Sequence, residues 1–163
     1  MQGNVDGIYG SQTQAAVRNY QKSRGLQVDG IAGPQTLKSL GITSGYSNND
    51  IQLLARAVYA EARGEPYRGQ VAVAAVILNR VKSPSFPNSI SGVIYQPGAF
   101  SSVNDGQINL APSADAQNAA REAMNGTDPT YGSIYFYNPA KTTNKWIRSR
   151  PVVTTIGAHV FAK

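Results

Sequence analysis

The run Val71-Ala-Val-Ala-Ala-Val-Ile-Leu78 is eight consecutive apolar residues with no polar interruption. A surface helix needs a polar face, and this run leaves none, so it reads as a helix enclosed by neighbours. Pro66 suits a first helical turn and Pro84 and Pro87 block continuation, which predicts a central helix over about 66–82. Its alanines permit close approach by whatever packs around it. The run is too short to cross a bilayer, which takes about 18 apolar residues or more, and no longer one exists, so no membrane span is expected. A chain of 163 residues with 41% hydrophobic content supplies one ordinary domain, or a domain with a small module.

Immediately upstream, Ser47-Asn-Asn-Asp50 has the form of a capping box, and Ile51, Leu54, Ala55, Val58 and Ala62 recur at helical spacing. Gly64 is placed to terminate that helix as a C′ residue. Glu61 falls roughly 80° from the centre of the apolar stripe, on its border. It also sits in the last turn, where the negative end of the helix dipole disfavours a carboxylate. Partial burial acts in the same direction, so its pKa is expected to be raised, with Arg63 near enough to oppose the effect. A carboxylic acid with a raised pKa is what protonating a glycosidic oxygen near neutral pH requires. On the residues alone the alternative is a solvated surface glutamate, since Glu is seldom buried.

Elsewhere, Asn88 to Tyr95 reads as a short helix. Ala99–Val103, Asn104-Asp-Gly106 and Gln107–Leu110 read as strand, turn and strand, with Asp105 a turn former. Ser113 caps a helix with Ala116, Ala119, Ala120, Ala123 and Met124 inward and Gly126 closing it. Ser133–Tyr137 reads as a strand, and Val152 to Phe161 as a strand pair around Gly157. Asn79 and Arg80 read as structural partners. Trp146 stands among several tyrosines, a stacking surface for sugar rings or a piece of core. His159 is the sole histidine, which argues against a zinc amidase or peptidase, and the absence of cysteine excludes thiolate metal sites and disulfides.

Residues 1–42 contain an internal repeat: Val5-Asp-Gly-Ile-Tyr-Gly-Ser-Gln-Thr13 returns as Val28-Asp-Gly-Ile-Ala-Gly-Pro-Gln-Thr36, offset by 23 residues. Each copy is an Asp-Gly turn followed by a helix start. Helices are expected over about 11–24, with Ala15, Ala16, Val17 and Tyr20 inward, and over about 34–40. Residues 43–49 are polar and carry Gly and Ser, as a linker does. The net charge of +6 is spread over both parts, with four basic and two acidic residues in 1–42 and eleven and seven in 46–163. A basic surface favours polyanions, but there is no Lys/Arg run or binding motif for nucleic acid.

From Tyr46 to Lys163 the chain resembles the catalytic domain of bacterial spore cortex-lytic enzymes, the germination-specific lytic transglycosylases also grouped as cell-wall hydrolases. The similarity lies in "GYSNNDIQLLARAVYAEARGEPYRGQVAVAAVILNRV", "FPNSISGVIYQPGAFSSVNDGQINL", "YFYNPAKTTNKW" and "RPVVTTIGAHVFAK", and covers 118 residues. Residues 1–42 resemble the small peptidoglycan-binding domain often joined to such enzymes, without that family's usual first helix. The resemblance implies an α+β, lysozyme-like fold, mainly helical with a small antiparallel sheet. It makes Glu61, the first glutamate of "AEARGEP", the catalytic acid. It also implies that Gln70, Phe100, Ser101, Ser102, Tyr137, Asn138 and Trp146 face a peptidoglycan glycan strand. No metal or cofactor is implied, and a monomer is expected. Export to the spore cortex or cell wall is implied too, although Met1 leads into a polar turn and no signal peptide is visible.

A hydrolysing glycosidase uses two carboxylates, about 5–5.5 Å or about 6.5–9.5 Å apart. Glu65, Asp105, Asp115, Glu122 and Asp128 are the candidates for a second acid, and capping accounts for Glu65 at its helix start. None is an evident partner. A lytic transglycosylase works with one acid. A lysozyme-type muramidase and a non-catalytic wall-binding protein are the alternatives, the latter disfavoured by the intact segment around Glu61.

Overall fold

The computed structural model describes residues 9–40 and 46–163. Residues 5–8 of the first copy of the repeat and 43–45 of the linker lie outside the described residues. The chain divides into two compact units, 1–48 and 49–163.

In the first unit, α1 (Ser11–Ser23) and α2 (Pro34–Ser39) flank the Asp29-Gly30 turn. The organising residue is one that apolar patterning misses. Gln21 is buried, donates to Asp29 Oδ1 at 2.7 Å, Ile31 O at 2.8 Å and Thr36 Oγ1 at 3.0 Å, and accepts from the Asp29 and Gly30 amides. One amide side chain thus satisfies the backbone of a whole turn, as buried polar groups require. Ala15, expected inward, is exposed; Ala16, Val17 and Tyr20 are partly covered.

The second unit is helical with a small sheet. Helix α3 (Asn48–Ala62) begins within the segment expected as linker, and buries Ile51, Leu54, Ala55, Val58 and Ala62, the stripe seen in the sequence. Gly64 is not left-handed; the end is closed instead by the Glu65 amide donating to Ala62 O at 2.9 Å. Helix α4 (Tyr67–Lys82) follows with Pro66 at its N-cap, and every residue from Val71 to Leu78 is buried. It packs against α5 (Ile90–Ile94) and against α7 (Ala114–Met124). Ala116, Ala119, Ala120 and Ala123 turn inward on α7, small enough to let the helices meet closely, whereas Met124 is only partly covered. Ser113 caps α7, its Oγ accepting from the Ala116 amide at 3.1 Å.

The segment expected as a hairpin over 99–110 is not one. It forms a short helical turn, α6 (Ser101–Asn104), and a 3-10 turn over Gln107–Asn109. The Asp-Gly signal is real: Asp105 Oδ1 accepts from the Gln107 amide at 3.0 Å and Gly106 is left-handed at φ 83°. But a hairpin needs two ladder-forming flanks. Here the burial of Phe100, Ser102 and Ile108 is achieved by tight turns instead.

The sheet lies later in the chain. Strands β1 (Tyr135–Tyr137), β2 (Val152–Ile156) and β3 (His159–Ala162) are antiparallel in the order β1-β3-β2, and β2 and β3 form the hairpin around Gly157. Phe136 pairs with Phe161, and β2 carries an irregularity between Val152 and Thr154. Between β1 and β2, α8 (Lys145–Arg148) is capped by Asn144. Asn79 and Arg80 act as structural partners, as expected: they tie the end of α4 to the chain entering β1, through Asn79 Nδ2 to Ser133 O at 3.0 Å and Arg80 Nε to Ile134 O at 2.7 Å.

Candidate active site

An open cleft of about 900 Å³ runs between the end of α3, the 99–107 turns and the sheet. Glu61, on the last turn of α3, is half-buried in its side, and Ser102 Oγ donates to Glu61 Oε1 at 2.9 Å. Burial pushes the Glu61 pKa up. The Ser102 hydroxyl pulls it down, the Asp105 charge raises it, and the Arg80 charge lowers it, with a net rise. The opposing cation is therefore Arg80, one helix away, and not Arg63, which lies over the Tyr59 ring at 5.5 Å. Asp105 is both a turn former and a source of field at Glu61, a second role that its place in an Asp-Gly turn conceals.

Arg80 is buried, its guanidinium 5.1 Å from the Phe86 ring centre, 5.5 Å from Phe100 and 5.8 Å from Tyr135. Such rings accept a cation on their faces. Burial lowers its pKa, against the Tyr135 and Glu61 interactions that raise it.

Glu65 does not cap α4, as its position had suggested. Pro66 is the N-cap, with no side-chain cap bond, and the Glu65 carboxylate crosses to the β2–β3 turn, where Oε2 accepts from the Ala158 amide at 3.0 Å. Its Oε1 lies 4.0 Å from His159 Nδ1. His159 is buried against Phe136 and Phe161, and its pKa is lowered by burial, with Glu65 raising it and Lys141 lowering it further. Gly157 makes the contact possible: a Cβ there would stand 2.1 Å from Glu65 Oε2.

Of the residues expected to face substrate, Phe100, Ser101, Ser102, Tyr137 and Asn138 line the cleft with Glu61. The first three come from helical turns and not from a sheet; the sheet supplies the opposite side through Phe136, Tyr137 and His159. Gln70 does not line it. It is buried, with Nε2 donating to Glu65 O at 3.3 Å, behind the corner it supports. Trp146 is 55% exposed outside the cleft, edge-on to Tyr135 at 5.3 Å with the Arg150 guanidinium 5.4 Å from its ring centre. Sequence reading missed Lys141, Thr142 and His159 as lining residues. A lone histidine beside the hairpin glycine was the available signal for the last of these. Among the described residues no group of three or more His, Asp or Glu could hold a metal ion.

A half-buried carboxyl with a raised pKa, fixed by a hydroxyl on the side of a cleft open to solvent, is suited to giving a proton to a long-chain substrate and taking one back. Comparison with known proteins gives the family. Residues 64–162 match the family model described as Cell Wall Hydrolase, and residues 1–40 the one described as a peptidoglycan binding domain. The first match begins three residues after Glu61. The spore cortex-lytic enzyme of Bacillus cereus is 46% identical over 99% of this chain and 76% of its own length; that of Bacillus subtilis is 52% identical over 81% and 43%. The catalytic domain of the Bacillus cereus SleB protein superposes with TM-score 0.70 at 60% identity, covering 73% of this chain and 93% of that one. The catalytic domain of the germination-specific lytic transglycosylase SleB from Bacillus anthracis gives 0.71 at 58%, covering 75% and 100%. The chain belongs to the spore cortex-lytic enzyme family of cell wall hydrolases.

Proposed function

We propose that this protein is an exported lytic transglycosylase that cleaves the β-1,4 bond between N-acetylmuramic acid and N-acetylglucosamine in spore cortex peptidoglycan during germination. The observation that carries the reading is the half-buried Glu61 carboxyl in the cleft, with its pKa raised and its Oε1 held by Ser102. The protonated carboxyl gives its proton to the glycosidic oxygen as the bond from that oxygen to the anomeric carbon breaks. The carboxylate left behind then takes the proton of the muramyl 6-hydroxyl as that oxygen attacks the anomeric carbon. The acid is regenerated, and the product is a 1,6-anhydromuramyl end. Arg80 opposes the rise in pKa, so that the group remains able to ionise between the two steps.

Tyr137 and Asn138 offer the strand a phenol and an amide, and Lys141 a cation toward the carboxylates of stem peptides. Residues 1–42 are read as the wall-anchoring module, 43–49 as its connection, and 50–163 as the catalytic domain.

Hydrolysis is the second reading, favoured by one observation: Glu65 lines the same cleft. Against it, one Glu65 oxygen is already held by the Ala158 amide, which suits a fixed wall better than a base for water. Mass spectrometry of muropeptides released from purified cortex, by wild type and by Glu61→Gln, separates the readings. Anhydromuramyl ends lost in the variant support the transglycosylase; reducing ends move the assignment to hydrolysis. Full activity of the variant would remove Glu61 from the chemistry.

A further inference from the structure

A second hollow, of about 440 Å³, opens between the start of α4 and the loop joining α7 to β1, lined by Tyr67, Arg68, Val71, Glu122, Pro129 and Tyr131 among others. That volume lies within the roughly 300–1,000 Å³ that small-ligand clefts occupy. Two tyrosines stand exposed at it, Tyr67 at 40% and Tyr131 at 68%.

Tyr131 is the only residue other than glycine with positive φ, 52°, among the described residues. A bulky side chain is strained there, and such strain persists only where its surroundings impose it. The imposing group is Asp128. Its Oδ1 accepts from the Thr130 amide and hydroxyl at 2.8 and 2.6 Å, and its Oδ2 from the Gly132 amide and Asn79 Nδ2 at 2.8 and 2.9 Å. The loop is thus anchored to α4, and the strain is spent on holding a phenol mostly out in solvent. Opposite it, the Tyr67 hydroxyl donates to Glu122 Oε2 at 2.7 Å, which fixes both the ring and an acceptor carboxylate.

We infer that the hollow between Tyr67 and Tyr131 is a second glycan site, taking an N-acetylated sugar unit of a strand beyond the cleft; this rests on the reading of the protein as a peptidoglycan-acting enzyme. Exposed tyrosines offer faces for the C–H side of a pyranose, with little entropy lost on binding because only two torsions are involved. Glu122 accepts from a sugar hydroxyl or acetamido N–H, and Arg68 donates to a carbonyl. The site adjoins the cleft along the chain: Glu65 lines one and Tyr67 the other, across the corner at Pro66.

The test is a residue-resolved NMR titration of the full chain, carrying Glu61→Gln to prevent turnover, with the N-acetylglucosamine tetramer. Two separately saturating sets of amide shifts are expected, one at 99–107 and 136–142, the other at 67–71 and 127–132. Tyr131→Asn removes the ring at a residue type that tolerates the left-handed region. It should keep the melting temperature and the cleft set, and weaken the second set about two- to tenfold. Tyr67→Phe, which keeps the ring and frees Glu122, should weaken it less. Saturation of the cleft set with 127–132 unmoved overturns the second site and leaves the exposed rings to a protein contact. Movement of 127–132 alone supports the site and counts against the proposed cleft chemistry; no movement in either set overturns both.

Discussion

Replacing Ser102 with Ala should move the alkaline limb of activity upward in pH. Ser102 is 3% exposed, and its hydroxyl donates to Glu61 Oε1 at 2.9 Å. The hydroxyl favours the ionised form, so its loss raises the Glu61 pKa beyond its already raised position. A hydrogen bond to a charged group contributes about 1.5–3 kcal/mol, and about 1.4 kcal/mol corresponds to one pKa unit. The gross shift is then about 1–2 units. The lower end applies, because Glu61 faces an open cleft where water takes part of the vacated position. Asp105 and Arg80 remain and add no change. For a reaction that begins with a protonated Glu61, kcat/KM falls as pH rises through that pKa. The profile of kcat/KM on soluble glycan fragments should therefore keep its alkaline limb about one unit higher in Ser102→Ala, while Ser102→Thr, which keeps a hydroxyl, stays near wild type. An unmoved limb, or one displaced toward acid, refutes the claim that this hydroxyl tunes the group that limits the reaction.

Three further outcomes are expected. Because the folded-state pKa of Glu61 is raised above its ordinary 4.5, the folded chain holds its proton more tightly and loses stability as pH rises from about that value; Glu61→Gln should melt higher than wild type at pH 7 and equal to it at pH 4, by calorimetry. Gly157→Ala combines a left-handed φ of 58° with a Cβ on Glu65 Oε2, and should cost about 1–3 kcal/mol, read as a fall in melting temperature of at least about 2 °C. Asp128 is held below its ordinary 3.8, since burial, which raises it, is outweighed by hydrogen bonds from Thr130, Asn79 and Gly132. Its contribution is complete above that ordinary value and is lost as pH falls through the lower folded value. Asp128→Asn should therefore cost about 1–3 kcal/mol at pH 7, with the difference from wild type shrinking as acid denaturation proceeds below the ordinary value of 3.8.

What the sequence made legible was set by local periodicity. The buried stripe of α3, the enclosed run of α4, the Ser113 cap and the Gly157 hairpin each rest on residues within one or two turns of one another. Glu61 at the stripe's border was legible for the same reason, and so was the direction of its pKa. The failures occur where the deciding partner is distant. Phe100 and Ser102 turn inward in a strand as in a tight turn, so alternation could not distinguish the hairpin from α6; Arg80 and Glu61, fixed elsewhere, are what they meet. Glu65 followed a capping pattern, yet its partner at Ala158 lies 93 residues away. Gln21 and Gln70, polar at buried positions, are invisible to any hydrophobic pattern.

The position of β3 has a consequence for the life of the molecule before it is finished. The strand His159–Ala162 is the middle one, so neither β1 nor β2 has a partner until it is made. Synthesis runs from the N-terminus at about 5–20 residues per second. Glu61 therefore leaves the ribosome about 5–20 s before His159, 98 residues later, can complete the opposite side of the cleft. Through that interval the nascent chain carries Glu61 without the sheet that forms the other side of the cleft. A chain stopped before His159 leaves β1 and β2 unpaired and one side of the cleft unmade, so the proposed activity is expected only of a product read through residue 162.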